Sequence, residues 1–203
     1  MNISASQVKL LRDRTGIGMM DCKSALVEAE GDVDLAVDIL RKKGIAKAEK
    51  KLYRAADEGV IWSYIHPGNK LGVLVEIKCE TDFVAKNDDF TTFVKDIAMH
   101  IAATNPVAIK REEINEEILE KEKEIYREQA KGQNKPEKII ERIVEGKLEK
   151  FYQENCLLEQ PFVKDPQITI KEYLTSTIAK MGENINISRF VRFQLGENNQ
   201  DNS

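Results

Sequence analysis

The chain has 203 residues, 41% of them hydrophobic and 33% charged, and a net charge of −4, which is the composition of one or two small globular domains with a heavily charged exterior. No apolar run approaches the roughly 20 residues that span a bilayer, the first residues lead into no basic and then apolar leader, and the acidic balance argues against general attraction to phosphate backbones. A cytoplasmic protein without membrane or nucleic-acid contacts is expected, with Cys22, Cys79 and Cys156 as reduced thiols, since their wide separation gives no CxxC spacing and no even disulfide framework.

Residues 4–44 read as three short helices. Val8, Leu10 and Leu11 give the first its apolar face, Ser4 or Ser6 caps it, and Thr15-Gly16-Ile17-Gly18 breaks it. The second carries Met20, Ala25, Leu26 and Ala29 and stops at Gly31. Asp32 caps the third, whose Leu35, Ala36, Ile39 and Leu40 face the others before Gly44 ends it. A DNA-binding helix-turn-helix would need a basic recognition helix, and Asp34 and Asp38 on the third helix weigh against it. A ubiquitin-associated-like protein-binding module, with its similar shape and glycine-containing first loop, is harder to exclude. Residues 45–58 lack large periodic apolar residues and cluster Lys47, Lys50, Lys51 and Arg54, which reads as a helical or flexible connector.

Val60–Ile65 forms a strand pattern, Pro67-Gly68-Asn69-Lys70 a turn, and Leu71, Val73, Val75, Ile77 and Cys79 alternate as a second strand, together an antiparallel hairpin. Asn87 then stands as N-cap to a helix bearing Phe90, Phe93, Val94, Ile97, Ile101 and Ala102 at three- and four-residue spacing. Asp82 and Phe83 therefore fall on a strand-to-helix turn, where two rigid elements hold exposed side chains in a fixed direction. An aromatic beside a carboxylate at such a tip suits insertion into another protein; on spacing alone the favoured reading is Phe83 in the core and Asp82 as a cap, since an isolated aromatic at an element boundary is usually core.

Sparse apolar residues from Ile114 through Ile118, Ile125 and Tyr126 mark a mostly solvated helix, broken at Asn134-Lys135-Pro136. A stronger stripe of Ile139, Ile140, Ile143, Val144, Leu148 and Phe151 follows, completing a helical hairpin over about residues 110–152. Pro161 and Pro166 mark a loop, Thr169-Ile170-Lys171-Glu172 has capping-box spacing for a last helix closed by Gly182, and Ile185, Ile187, Val191, Phe193 and Leu195 alternate as a third strand. The fold class expected is α+β. A three-helix, ubiquitin-associated-like bundle (1–45) and a linker (46–58) precede a core (59–196) in which an antiparallel three-stranded sheet packs with helices and the hairpin; the tail (197–203) is polar and reads as disordered.

No catalytic constellation emerges. His66 and His100 have no Cys or His at ligand spacing, so neither a metal nor a cofactor is expected, and without a Gly-x-x-x-x-Gly-Lys loop the chain is not expected to bind nucleotide itself.

Thr81-Asp82-Phe83-Val84-Ala85-Lys86-Asn87, together with Thr15-Gly16-Ile17-Gly18-Met19-Met20-Asp21-Cys22-Lys23, resembles the bacterial translation elongation factor Ts family. Ala98-Met99-His100-Ile101-Ala102-Ala103, Gln160-Pro161-Phe162-Val163 and Gly182-Glu183-Asn184-Ile185-Asn186-Ile187 resemble further phrases of it, so the likeness spans nearly the whole chain. The resemblance implies a nucleotide exchange factor for the GTPase elongation factor Tu. It implies that Thr81, Asp82, Phe83 and Val84 act as a wedge at the partner's nucleotide and magnesium site, and that Arg12, Met19 and Met20 dock the bundle. Longer members carry two copies of the strand-and-helix core, whereas this chain has one, which points to a homodimer joined without a disulfide. The competing expectation is a passive protein-binding adaptor built on the ubiquitin-associated-like bundle.

Overall fold

The computed structural model describes residues 3–132 and 136–197. Three helices open the chain, α1 (Ala5–Thr15), α2 (Met19–Glu28) and α3 (Val33–Glu49); β1 (Glu58–Ile65) and β2 (Leu71–Cys79) follow, then a single helical turn α4 (Asp82–Ala85) and the long α5 (Asp88–Thr104). Beyond these come α6 (Glu116–Lys131), α7 (Glu137–Asn155), β3 (Pro161–Phe162), β4 (Asp165–Thr169), α8 (Ile170–Met181) and β5 (Ile185–Gln194). The class is α+β, with an antiparallel sheet in the order β1-β2-β5 and a separate two-stranded ribbon of β3 and β4. That ribbon replaces the loop expected around Pro161 and Pro166; with only two residues in β3, it is too short to leave a period-2 signal.

By packing, the chain divides into two compact units. One comprises the chain up to Trp62, Glu76–Lys95 and Glu172–Ser188. In it Ser4 and Gln7 cap α1 reciprocally, and Asp32 caps α3 by accepting the N–H groups of Asp34 and Leu35. Val8, Leu11, Cys22, Ala25, Leu26, Ala29, Ala36 and Leu40 form the bundle core. Leu10, Met20 and Leu35, expected on the apolar faces, are exposed instead. The reason is rotation at 100° per residue: Val8 with Leu11, and Cys22 with Ala25, Leu26 and Ala29, follow the true stripe, and the others lie off it. Helix α3 does not stop at Gly44 but runs on to Glu49. The glycine serves approach rather than termination, because a Cβ there would lie 3.1 Å from the Ala179 methyl of α8. Arg41 to Glu172 (2.9 Å) and Lys47 to Asp21 (2.7 Å) add exposed ion pairs along α3.

In the same unit, Phe90, Phe93 and Val94 of α5 are buried, Phe93 meets Tyr173 edge-on at 5.1 Å, and the Lys95 ammonium lies 5.3 Å above the Trp62 ring of β1. Asn87 caps α5 as its position predicts, accepting the Asp89 N–H at 2.8 Å.

The second unit comprises Ser63–Val75, Asp96–Lys171 and the chain from Arg189. Helices α6 and α7 form the expected hairpin, held by Tyr126, Ala130, Ile140, Ile143, Val144 and Leu148. Of the break expected between them, Asn134 and Lys135 lie outside the described residues, as does the tail beyond Glu197. At the hairpin's base Arg111 donates to Glu149 and Glu159 and lies 4.4 Å from the centre of the Tyr152 ring. Along β5 the alternation shifts after Ile187: Phe190 and Arg192 become half-buried, Arg192 donating to the Ala102 carbonyl and to Glu197, while Val191 and Phe193 turn outward. A guanidinium with that many acceptors can occupy the inner side, and the register change leaves an apolar outer row.

His100 is fully buried on α5; its Nε2 meets the Gln160 Oε1 at 2.9 Å and its Nδ1 accepts the Val163 N–H at 3.3 Å. Burial, opposed by the Gln160 bond, pushes the imidazole pKa down. A depressed histidine adds stability in its neutral form, full above the unfolded-state value of about 6.5 and lost as the pH falls from there through the folded-state value. Thermal melts from pH 7.5 to 5 should show this loss, and His100→Gln should flatten it; an equal slope in the variant would mean another group is responsible.

Candidate partner-binding site

Strand β2 ends at Cys79, whose thiol is pushed up to about 11 by burial and the nearby Glu183 charge. The chain then turns through Thr81 in an extended conformation into α4. Thr81 caps the turn by accepting the Val84 N–H at 3.3 Å. Its own N–H and hydroxyl donate to the two carboxylate oxygens of Glu183, at 3.0 and 2.7 Å. Val84, which the resemblance places in the wedge with Thr81, Asp82 and Phe83, is buried and anchors the turn from inside. Phe83 points the other way and is 79% exposed, which removes the core alternative for it. Asp82 is exposed too and receives the Lys86 ammonium at 2.8 Å one turn on. That hydrogen bond, with the ammonium charge, holds its carboxyl below the usual range. Thr81, not Asp82, is the cap.

In the bundle, Gly16 closes α1 in the left-handed region at φ +68, donating its N–H to the Arg12 carbonyl. Met19 and Met20 open α2 and are 43% and 77% exposed, and Arg12 is exposed on the last turn of α1. The alternative with Met20 in the core is therefore overturned, because the stripe begins at Cys22. The Lys180 side chain of α8 lies across Gly16, where an added Cβ would sit 2.6 Å from its Cε, and its ammonium reaches Asp89 in the first turn of α5 at 2.7 Å.

Glu183, Asn184 and Lys180 escaped the reading of the residues as site positions. For Glu183 and Asn184 the signal was the Gly182-Glu183-Asn184 phrase, which places a carboxylate and an amide directly after a left-handed turn; Lys180 carried none.

A family model described as elongation factor TS matches residues 42–197. The chain belongs to the elongation factor Ts family. Over 195 residues it is 60% identical to an elongation factor Ts of Carboxydothermus hydrogenoformans, covering 96% of this chain and 90% of that one. It is also 60% identical to elongation factor Ts proteins of Caldanaerobacter subterraneus, over 96% of this chain and 98% of that one, and Fervidobacterium nodosum, over 97% and 100%. Membership of the elongation factor Ts family makes this a protein of translation elongation. Among the described residues no helix is long and apolar enough to cross a membrane, and no cluster of His, Cys, Asp and Glu has the arrangement of a metal site.

The opposite placements of Phe83 and Val84 separate surface from anchor. Phe83→Ala should change unfolding free energy by less than about 0.5 kcal/mol, as at other exposed sites. Val84→Ala should lose roughly 1.5 kcal/mol at about 0.8 kcal/mol per buried carbon. Urea denaturation distinguishes them, and equal losses would contradict the placement.

Proposed function

We propose that this chain is a guanine nucleotide exchange factor: it binds the GTPase elongation factor Tu and promotes release of its GDP, catalysing no covalent step and binding no nucleotide itself. The observation that carries the reading is the Phe83 ring, 79% exposed on a capped turn. A large ring in water on an otherwise anchored turn is what an inserted side chain requires. Burying it in a partner yields roughly 1.5–3 kcal/mol, whereas a thousandfold faster release requires a barrier about 4 kcal/mol lower. Asp82 and the docking face must therefore contribute, and only through contacts stronger in the distorted partner than in its resting state. Asp82 is available for this, since its exposed pair with Lys86 is of the kind that contributes little and is easily exchanged for a partner's donor. Met19 and Met20 offer an adaptable apolar docking contact, and exposed Arg12 of α1 offers a charged one. Linkage demands that whatever weakens GDP binding in the complex weakens factor binding equally when GDP is present.

The reading includes a homodimer. Ile65, Leu74, Val191, Phe193 and Leu195 are exposed on or beside the sheet, and Ile65 lies across Gly72, where an added Cβ would be 2.9 Å from its Cδ1. Five exposed apolar residues on one sheet region suit a second copy across a twofold axis, which would bury the same residues on both sides. The three cysteines are buried, so the copies associate without a disulfide.

Stopped-flow release of a fluorescent GDP analogue from elongation factor Tu tests exchange. Acceleration of about a hundredfold or more is expected. Phe83→Ala should lower the maximal rate by about tenfold with little change in half-saturation, and Met20→Ala should weaken both. Binding without acceleration would leave a passive adaptor. Sedimentation should give a dimer at micromolar concentration that Phe193→Glu dissociates; a monodisperse wild-type monomer would refute the homodimer.

A further inference from the structure

We propose that Glu183 is the positioning residue of the exchange wedge, holding the Thr81–Val84 turn in the one orientation in which Phe83 and Asp82 can act; this rests on the exchange reading above. Both oxygens of the Glu183 carboxylate are used on Thr81, one by its N–H at 3.0 Å and one by its hydroxyl at 2.7 Å. Because the hydroxyl proton is directed at Glu183, the lone pairs of the same oxygen face the Val84 N–H, which they accept at 3.3 Å. Glu183 thus fixes the hydroxyl rotor, the rotor fixes the cap, and the cap fixes the two residues between Thr81 and Val84, which are Asp82 and Phe83.

The neighbouring residues serve the same turn. The Asn184 N–H donates to Glu80 at 2.6 Å and its side-chain amide donates to the Arg54 carbonyl at 2.7 Å, so the residue before Thr81 is held as well. Asn184 is buried and its Oδ1 has no hydrogen-bond partner among the described residues. An amide kept at that cost is kept for its donors. Just before Glu183 in the chain, Lys180 crosses the docking loop at Gly16 and pairs with Asp89 of α5. The end of α8 and the residues just after it therefore touch the docking loop, the helix after the wedge and the wedge cap, and Glu183 is the one bonded to that cap, Thr81.

The test uses the full chain with two readouts: amide hydrogen exchange of Thr81 and Val84 in the free protein, and maximal GDP-analogue release against half-saturating factor concentration with elongation factor Tu. Glu183→Ala should retain the wild-type circular dichroism, speed exchange of both amides at least about tenfold, and lower the maximal release rate by about tenfold while half-saturation moves less than about threefold. Glu183→Gln keeps one acceptor for the Thr81 N–H and should recover part of both. Should Glu183→Ala fail to fold, Glu183→Gln carries the same criteria at smaller amplitude. Wild-type amide protection, or a maximal rate within about twofold of wild type, would overturn the positioning role. A wild-type chain that accelerates nothing would overturn the exchange reading and the proposal with it, whereas a fast wild type with an equally fast Glu183→Ala overturns the proposal alone.

Discussion

A single helical turn cannot keep its own shape in water, because nucleation fixes several residues for each hydrogen bond gained. α4 has four residues, so the direction of Phe83 depends on what holds the ends of that turn. One end is held by the burial of Val84 and the other by the two hydrogen bonds from Thr81 to Glu183. The second hold is charge-assisted and bidentate, and such bonds are directional as well as strong. Everything else about the site follows from it: a carboxylate must reach Thr81, so α8 must end nearby, and Gly182 at φ +77 is the turn that brings Glu183 there.

The same requirement explains the extension of α3. Close approach of α3 to α8 needs a small residue on each, and Gly44 against Ala179 supplies the pair. With α3 running to Glu49 the exposed pair Lys47 to Asp21 comes into register beyond Gly44, as Arg41 to Glu172 does before it. Exposed pairs like these add little stability; packing at the glycine sets the geometry, and the charges follow it. The bundle, α8 and the wedge turn consequently belong to one compact unit.

Element type was largely legible in the sequence because the long segments obey one period each: β2 with Val73, Val75, Ile77 and Cys79 buried, and α5 with Phe90, Phe93, Val94, Ile97 and Ile101 buried. What failed were local choices decided by distant partners. Gly44 reads as a stop unless Ala179 is known to face it. The outward turn of Val191 and Phe193 depends on Arg192 finding the Ala102 carbonyl. Of the site, the residues of the turn could be named, but whether Phe83 faced solvent or core could not, since period-based arguments lose force at the junction of a strand and a helix. Glu183 lies 102 positions from Thr81, and no local pattern carries that pairing.

Rigidity of the turn decides whether a wedge can do work at all. Ordering backbone costs about 1–2 kcal/mol per residue, so fixing a floppy four-residue turn on binding would take roughly 4–8 kcal/mol. Burial of the Phe83 ring supplies only about 1.5–3 kcal/mol. A flexible tip would therefore consume its whole contact energy in becoming ordered and leave nothing to distort a partner's nucleotide site. Held beforehand by Glu183 and Val84, the turn incurs that cost in folding, where the core of the unit offsets it. Under the proposed exchange role, the energy of inserting Phe83 would then be free to appear as strain in the partner, where differential stabilisation of the open state requires it.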